Sequence, residues 1–162
     1  MKPLVSSPSQ AYITDTLQVA DILQWILDQT GPADIRMTSF SISEEFLRRL
    51  YFIKKKGLVR ELDIVLDFKA TNKTLILWPF IRRTVSRCHL ANNHSKVLLV
   101  SNEKSKVALV TSQNLTRGNR YESGIITTDP EIFEALAADL ENIITRQSVP
   151  FHEIYTQTAG DD

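Results

Sequence analysis

His94 and Lys96 stand two residues apart at the head of an apolar run, and Ser112 and Asn114 follow on the next predicted strand. Glu122 comes soon after them. Residues i and i+2 of a strand point to the same face, so we expect His94 and Lys96 to look into one pocket. A nucleophilic imidazole beside a cation and an amide donor is suited to phosphate chemistry. No other group of residues in the sequence offers comparable chemistry.

A metal site is the first alternative, because Cys88 and His89 are adjacent. The sequence supplies no second cysteine and no convergent carboxylate pair to complete such a site. We therefore expect no metal and no cofactor, and we predict that Cys88 is a buried strand residue. His152 is predicted to be exposed. Two tryptophans, Trp25 and Trp78, are predicted core or interface residues, with base stacking as the less common role.

Basic residues form three groups, which are Lys54 to Lys56, Arg82 and Arg83 with Arg87, and Arg117 with Arg120. Charged helix ends and turns are the common explanation for the first two groups, although either group is able to grip phosphates. Arg117 and Arg120 lie on the loop that follows the Ser-x-Asn, where we expect them to contact a nucleic-acid backbone. The formal net charge of +0 argues neither for nor against such a partner.

Composition places the chain among ordinary soluble proteins. With 162 residues, of which 43% are hydrophobic and 23% charged, we expect one domain. The longest apolar run, residues 74–81, is too short to cross a bilayer, and the N-terminus lacks the apolar core of a secretory signal. The single cysteine excludes an internal disulfide and fits a reducing compartment. We predict a cytoplasmic protein without a membrane partner.

The hydrophobic pattern predicts helices and strands in alternation, followed by several strands and a last helix. The elements expected before residue 70 are a helix capped by Asp15 or Thr16 and ended by Gly31, a strand at 35–43, a helix with a capping box of Ser41 and Glu44, and a central parallel strand at 62–68. Those expected afterwards are a helix broken or kinked at Pro79, a strand at 88–90 leading into 94–100, a hairpin of 94–100 with 106–111, a strand at 123–127 and a helix begun by Asp129 and Pro130.

This order predicts an α/β fold, with a mixed β-sheet and helices on both of its faces. Residues 1–11 are predicted to be a flexible N-terminal lead-in, residues 12–150 the domain, and residues 151–162 a polar C-terminal tail.

The segment from His94 to Glu122 resembles one copy of the motif of the phospholipase D superfamily. That motif is His-x-Lys, four residues, an aspartate, a Gly-Ser-x-Asn and a later acid. The resemblance implies an α/β/α sandwich over residues 12–150 and metal-independent cleavage of phosphodiesters through a phosphohistidine. Because members work with two facing copies and this chain carries one, it also implies a homodimer with the site on the two-fold axis.

The resemblance assigns a role to each matching residue. His94 matches the nucleophile and Lys96 the phosphate-binding lysine. Ser112 and Asn114 match the polar pair that binds and orients phosphate and histidine. Glu122 matches the acid that hydrogen-bonds the far nitrogen of the partner's histidine.

The sequence departs from the motif at two positions. Ser101 stands where the family has its aspartate, and Thr111 where it has the glycine before the serine. Tyrosyl-DNA phosphodiesterases resemble this chain in lacking the aspartate while keeping histidine, lysine and asparagine.

The implied function is a metal-independent phosphodiesterase, specifically a nuclease, since small single-motif members are commonly nucleases. We expect DNA rather than RNA as its substrate. The alternative is a degenerate module that binds nucleic acid or a partner protein with little or no catalysis; Ser101, Thr111 and the neutral charge favour it. A third possibility is one domain of a larger assembly.

Overall fold

The structure, a computed structural model, describes residues 1–159. Its strands are β1 (Ser9–Thr14), β2 (Ala33–Thr38), β3 (Val59–Asp67), β4 (Arg87–Ala91), β5 (Val97–Ser101), β6 (Lys106–Thr111), β7 (Glu122–Thr127) and β8 (Val149–Pro150). Its α-helices are α1 (Val19–Thr30), α2 (Glu44–Lys55), α3 (Thr71–Thr84), α4 (Pro130–Asn142) and α5 (Phe151–Ala159). A 3₁₀ turn (Phe68–Ala70) precedes α3, and a π-helical turn (Ile143–Gln147) follows α4.

The strands form one mixed sheet in the order β1-β7-β6-β5-β2-β3-β4-β8. β2, β3 and β4 are parallel, with β3 in the centre as predicted, and the remaining pairs are antiparallel. Consequently β1, β2, β3, β4 and β6 all end at the same edge of the sheet, where β5 and β7 begin. We call this the site edge.

Helices cover both faces of the sheet, which confirms the predicted fold class. Alternate residues of the central strands point to opposite faces. Ile64 and Leu66 of β3 belong to a core shared with α1, α2, α3 and α5, whereas Val65 belongs to a second core with Phe133 and Leu140 of α4. Burial of each such aliphatic side chain contributes about 1.5–3 kcal/mol.

The predicted helix caps are wrong for α1 and α2 and right for α4. α1 begins after Gln18, whose N–H donates to the Asp21 carboxylate at 2.8 Å, so neither Asp15 nor Thr16 is the cap. The cap of α2 is Ser43, not Ser41, and its Oγ accepts from the Phe46 N–H at 3.2 Å. Strand β2 has already ended at Thr38, so the serines after it lie in the segment that connects β2 to α2.

The helix predicted around Pro79 is present as α3 and is not broken. Proline removes one backbone hydrogen bond and costs a helix interior about 3 kcal/mol. Ile81, which is 1% exposed, and Trp78 both pack against the main core from this helix. That burial offsets the cost of the proline.

Regular structure extends beyond both predicted ends of the domain. Where we predicted a flexible lead-in to residue 11, β1 pairs along its length with β7. Where we predicted a polar tail from residue 151, α5 places Phe151 in the core, 0% exposed and 4.9 Å from the ring of Trp78. Phe151, Ile154 and Tyr155 are spaced as one helical face. Within residues 1–159, none of the helices has the length and hydrophobicity that crossing a bilayer requires.

Candidate active site

The site edge brings together the predicted residues. His94 and Lys96 lie between β4 and β5, Ser112 and Asn114 follow β6, and Glu122 begins β7. The prediction that His94 and Lys96 lie on a strand is wrong. β4 ends at residue 91, and β5 begins at residue 97 beside β2 instead of continuing β4. His94 and Lys96 therefore lie on a loop at the ends of strands.

Asn93, which sequence reasoning missed, fixes this loop from the inside. It is 5% exposed, and its backbone N–H donates to the Asp67 carboxylate at 2.9 Å. Its side-chain amide donates to the Ser39 carbonyl at 3.1 Å and accepts from the Ser95 N–H at 3.2 Å. These bonds tie the segment before and after His94 to the ends of β2 and β3. The pair Asn92-Asn93 before the histidine was the available signal, since asparagine side chains often bond nearby backbone in turns.

The His94 ring is exposed and packs edge-on against Phe40, with ring centroids 5.7 Å apart. Lys96 Nζ lies 3.2 Å from His94 Nδ1 and donates to the His94 carbonyl at 2.7 Å. An ammonium group only donates, so Nδ1 is the acceptor in this contact. Partial burial lowers the pKa of Lys96, while the charge of Glu122 acts in the opposite direction.

Asn114 is held with its amide nitrogen available. Its Oδ1 accepts from the Phe40 N–H at 3.2 Å and lies 3.3 Å from Ser39 Oγ. Since a backbone N–H can only donate, the oxygen must face Phe40 and Nδ2 must point the other way. Across the part of the chain that the structure describes, Nδ2 has no hydrogen-bond acceptor. Asn114 thus presents a fixed N–H donor suited to a phosphoryl oxygen.

Ser112 holds Glu122 at the start of β7. The Ser112 hydroxyl donates to a carboxylate oxygen of Glu122, and it accepts from the Ser123 N–H at 3.0 Å. Among residues 1–159 of this one chain, no hydrogen bond joins Glu122 to His94. The carboxylate lies at the same edge as the imidazole without contacting it.

Tyr12, on a strand that we did not predict, supports the turn that carries Ser112 and Asn114. Its hydroxyl donates to Gln113 Oε1 at 2.8 Å, and Gln113 Nε2 donates to the Leu17 carbonyl at 2.6 Å. Burial raises the pKa of Tyr12, although its hydrogen bond with Thr111 acts against this. Nothing in the sequence pattern indicated this tyrosine, because its role depends on the pairing of β1 with β7.

Gly124 is required by Tyr12, because a Cβ there would lie 2.6 Å from the tyrosine oxygen. We expect Gly124→Ala to destabilise the protein by about 1–3 kcal/mol through overpacking. Chemical denaturation measures the change. Gly118→Ala is the matched control, since a Cβ at that position has open space around it. Equal stability of the two variants would contradict this packing.

Arg117 and Arg120 are exposed on the loop after Asn114, and together with Asn114 and Glu122 they line one small polar cavity. Arg117 also reaches Glu45 of α2 at 3.3 Å. Both cations therefore lie beside Asn114 and Glu122 at the site edge.

Of the two departures from the motif, Ser101 lies far from the imidazole, whereas the Thr111 N–H donates to the Lys96 carbonyl at 3.0 Å at the site edge. Ser101 is at the far end of β5, roughly 13 Å from Val97 at about 3.3 Å per residue. Thr111 directs its hydroxyl to the Ser123 carbonyl at 2.8 Å and lies beside Tyr12. Thr111 therefore lies at the site edge, but its hydroxyl bonds Ser123 of β7 and not His94 or Lys96.

The other candidates lie outside this edge. Cys88 is buried as predicted, and burial raises the pKa of its thiol to about 12, so the thiol stays protonated. Within residues 1–159, no three His, Cys, Asp or Glu side chains cluster in a way that could hold a metal ion. Trp25 and Trp78 pack against the core as predicted.

The sequence matches no protein-family model and no curated protein. Solved structures do resemble the chain. Nuc from Salmonella typhimurium, a phospholipase D family member, is 19% identical with a TM-score of 0.66, over 88% of this chain and 97% of that one. NucT from Helicobacter pylori is 13% identical with a TM-score of 0.63, over 88% and 99%. Phosphatidylserine synthase from Haemophilus influenzae is 11% identical with a TM-score of 0.64, over 88% and 39%.

Proposed function

We propose that this chain, which has the fold of the phospholipase D superfamily, is a metal-independent phosphodiesterase that cleaves nucleic acid in a site completed by a second copy. One observation carries the proposal. His94, Lys96 and Asn114 lie at one sheet edge, and the Asn114 amide is held with its nitrogen free to donate. A nucleophile, a cation and an oriented donor are what attack on a phosphodiester requires.

The reaction proceeds in two displacements. Neutral His94 attacks phosphorus through Nε2, so that a nitrogen–phosphorus bond forms and the bond to the leaving oxygen breaks. The protonated His94 of the second copy gives its proton to that oxygen. Water then attacks the phosphohistidine, passes a proton to the second histidine and releases His94. Lys96 and Asn114 donate to the non-bridging oxygens throughout.

The tautomer of His94 explains why a second copy is needed. In a single chain the Lys96 ammonium, and not a carboxylate, lies at Nδ1. A carboxylate at Nδ1 would hold a proton there and free the Nε2 lone pair. Glu122 is presented at the site edge by Ser112 and leaves its own histidine untouched. We assign it to the histidine of the second copy.

An apolar strip beside the site supports this dimer. We define the strip as Ile13, Val110 and Ile125, which are 77%, 45% and 57% exposed. Ile125 pairs with Val110 on one side and with Ala11 of β1 on the other. Ile13 is two residues from Ala11 on the same strand, so the side chains of Ile13, Val110 and Ile125 lie on one face of the sheet. Ile13 and Val110 are each one residue from the ends of β1 and β6 at the site edge. Such a strip is suited to an isologous contact.

We expect Ile125→Asp to weaken the dimer by about 100-fold, since about 1.4 kcal/mol or more of apolar burial is lost from each copy. Activity should fall in parallel with the dimer fraction. Sedimentation and turnover measured across protein concentration test this. Ile76→Asp is the control, because Ile76 is 80% exposed on α3, over the opposite face. A monomeric protein with full activity would overturn the shared site.

Nucleic acid is the proposed substrate because of the cations at the rim, with DNA preferred. We expect the double variant Arg117→Gln, Arg120→Gln to weaken binding to all sequences alike and to lower the slope of log affinity against log salt by about 2. Titration of a labelled strand at several salt concentrations measures both effects. Arg60→Gln is the control, since Arg60 is near the opposite edge and pairs with Glu103. An unchanged slope would remove the two arginines from the interface.

A binding module without turnover is the second candidate, and the Lys96 contact favours it, because the ammonium occupies the ring nitrogen that a carboxylate would need in order to orient the imidazole. The deciding experiment is hydrolysis in EDTA of labelled single-stranded and duplex DNA, RNA and a phosphatidyl lipid. Cleavage of DNA supports the proposed nuclease. Cleavage of the lipid alone would show that the substrate is a phospholipid and not a nucleic acid. Binding of DNA by an intact dimer without any cleavage would establish the module.

A further inference from the structure

A second cleft lies at the opposite end of β4 from the site edge. It has a volume of about 390 Å³, within the range of about 300–1,000 Å³ that small-molecule sites occupy. It is formed by the last turns of α3, the start of β4 and the junction of β8 with α5. The side chains that matter for its chemistry are Trp78, Arg82, Arg87, His89, Pro150 and His152.

One wall of the cleft is aromatic. Trp78 is only partly buried, and its ring is held by Phe151 at 4.9 Å and Tyr155 at 6.0 Å between centroids. An indole fixed in this way and still open to the cleft offers a stacking surface to a planar ring.

The rim of the cleft is cationic. Arg87 donates through Nε and Nη2 to Asp63 at 2.9 and 2.6 Å, which leaves its Nη1 for another acceptor. Arg82 is exposed and has no ion-pair partner among the residues that the structure describes. No carboxylate is among the described residues that line the cleft. Asp63, which pairs with Arg87, is only 4% exposed. An anion is therefore the complementary ligand.

His89 adds a hydrogen-bond acceptor at the base of the cleft. It is 8% exposed, and its Nδ1 lies 3.1 Å from Ser148 Oγ, which donates to the Ile144 carbonyl at 2.8 Å. Because the Ser148 hydroxyl proton is donated to the Ile144 carbonyl, the serine oxygen accepts from His89 Nδ1–H. His89 Nε2 therefore carries the lone pair. Burial lowers the pKa of His89, and the charge of Asp63 opposes this shift.

The Nε2 of His89 must open to the cleft. Within residues 1–159, every fully buried side-chain nitrogen or oxygen has a hydrogen-bond partner, and Nε2 has none. Nε2 is therefore accessible to solvent, and it reaches solvent through the cleft, which His89 lines.

We propose that this cleft binds one nucleotide unit, either a free mononucleotide or a terminal nucleotide of a strand. The base stacks on Trp78 and donates an N–H to His89, while the phosphate accepts from Arg82, Arg87 and His152. The site does not depend on the proposed phosphodiesterase activity, because it shares no residue with the site edge.

Fluorescence of Trp78 tests the proposal in a Trp25→Phe background, where Trp78 is the single remaining tryptophan. We expect adenosine monophosphate to quench this fluorescence saturably. Adenosine alone and inorganic phosphate alone should each bind at least about tenfold more weakly, because each makes only part of the contacts. A 5′-phosphorylated oligonucleotide that binds more tightly than the mononucleotide would identify the strand end as the source.

Three variants distinguish this site from its surroundings. Arg82→Gln should weaken binding at least about tenfold, whereas Arg83→Gln, the next residue of the same helix and not part of the lining, should leave it unchanged. His94→Ala should bind adenosine monophosphate as the parent does. Loss of binding in His94→Ala, or equal affinity in both arginine variants, would overturn the proposal. Calorimetry on the unmodified chain gives the same comparison if Trp25→Phe folds poorly, and the absence of heat and of quenching at millimolar ligand would also overturn it.

Discussion

Replacing His94 with alanine is expected to lower kcat on a phosphodiester by at least about 10⁴-fold. The loss is large because one substitution removes both the nucleophile and the proton donor, since each copy supplies one role. Its side chain is exposed and makes one aromatic contact, with Phe40, so the fold should be retained. Turnover of an activated phosphodiester in EDTA measures the effect.

The matched control for His94→Ala is Asn92→Ala, an exposed residue of the same loop. It should keep parental turnover. A histidine variant that stays within tenfold of the parent, while denaturing at the same midpoint, would remove His94 from the chemistry.

Asn114→Asp is expected to lower kcat/KM by at least about 10³-fold. Aspartate retains the oxygen that accepts from the Phe40 N–H at 3.2 Å, so the turn should keep its shape. The opposite corner changes from an N–H donor to a negative oxygen that repels the substrate phosphate. Loss of one such donor alone costs about 10²–10³-fold, and the added charge increases this.

Asn119→Asp carries the same change of charge on the same loop and is exposed. It should reduce kcat/KM only a few-fold, through the local field. If both variants fall equally, the effect is general electrostatic repulsion, and the account of Asn114 as an oriented donor is wrong.

The placement of His94, Lys96 and Asn114 at one edge of the sheet was predictable from the sequence, because these residues are close along the chain. Lys96 follows His94 by two residues, and Asn114 lies at the far end of the hairpin that β5 and β6 form. A hairpin returns the chain to the edge from which it started, so its two ends must meet. The same local reasoning gave the capped start of α4, where the Asp129 carboxylate accepts from the Glu131 N–H at 2.8 Å.

The supporting residues were not predictable, because their partners are distant in sequence. Tyr12 meets Gln113, Asn93 meets Ser39, and Phe151 meets Trp78 only after the sheet and helices have assembled. The prediction of a strand through His94 was wrong for a related reason. An apolar run shows where a strand lies, but the side-chain bonds of Asn93 decided where it begins.

The most direct test of a phosphohistidine is the stereochemical course at phosphorus. A substrate with a chiral phosphorothioate is cleaved in isotopically labelled water, with EDTA present, and the configuration of the product is determined. Two successive in-line displacements, the first by His94 and the second by water, predict net retention. Inversion would show a single direct attack by water and would contradict the covalent role of His94.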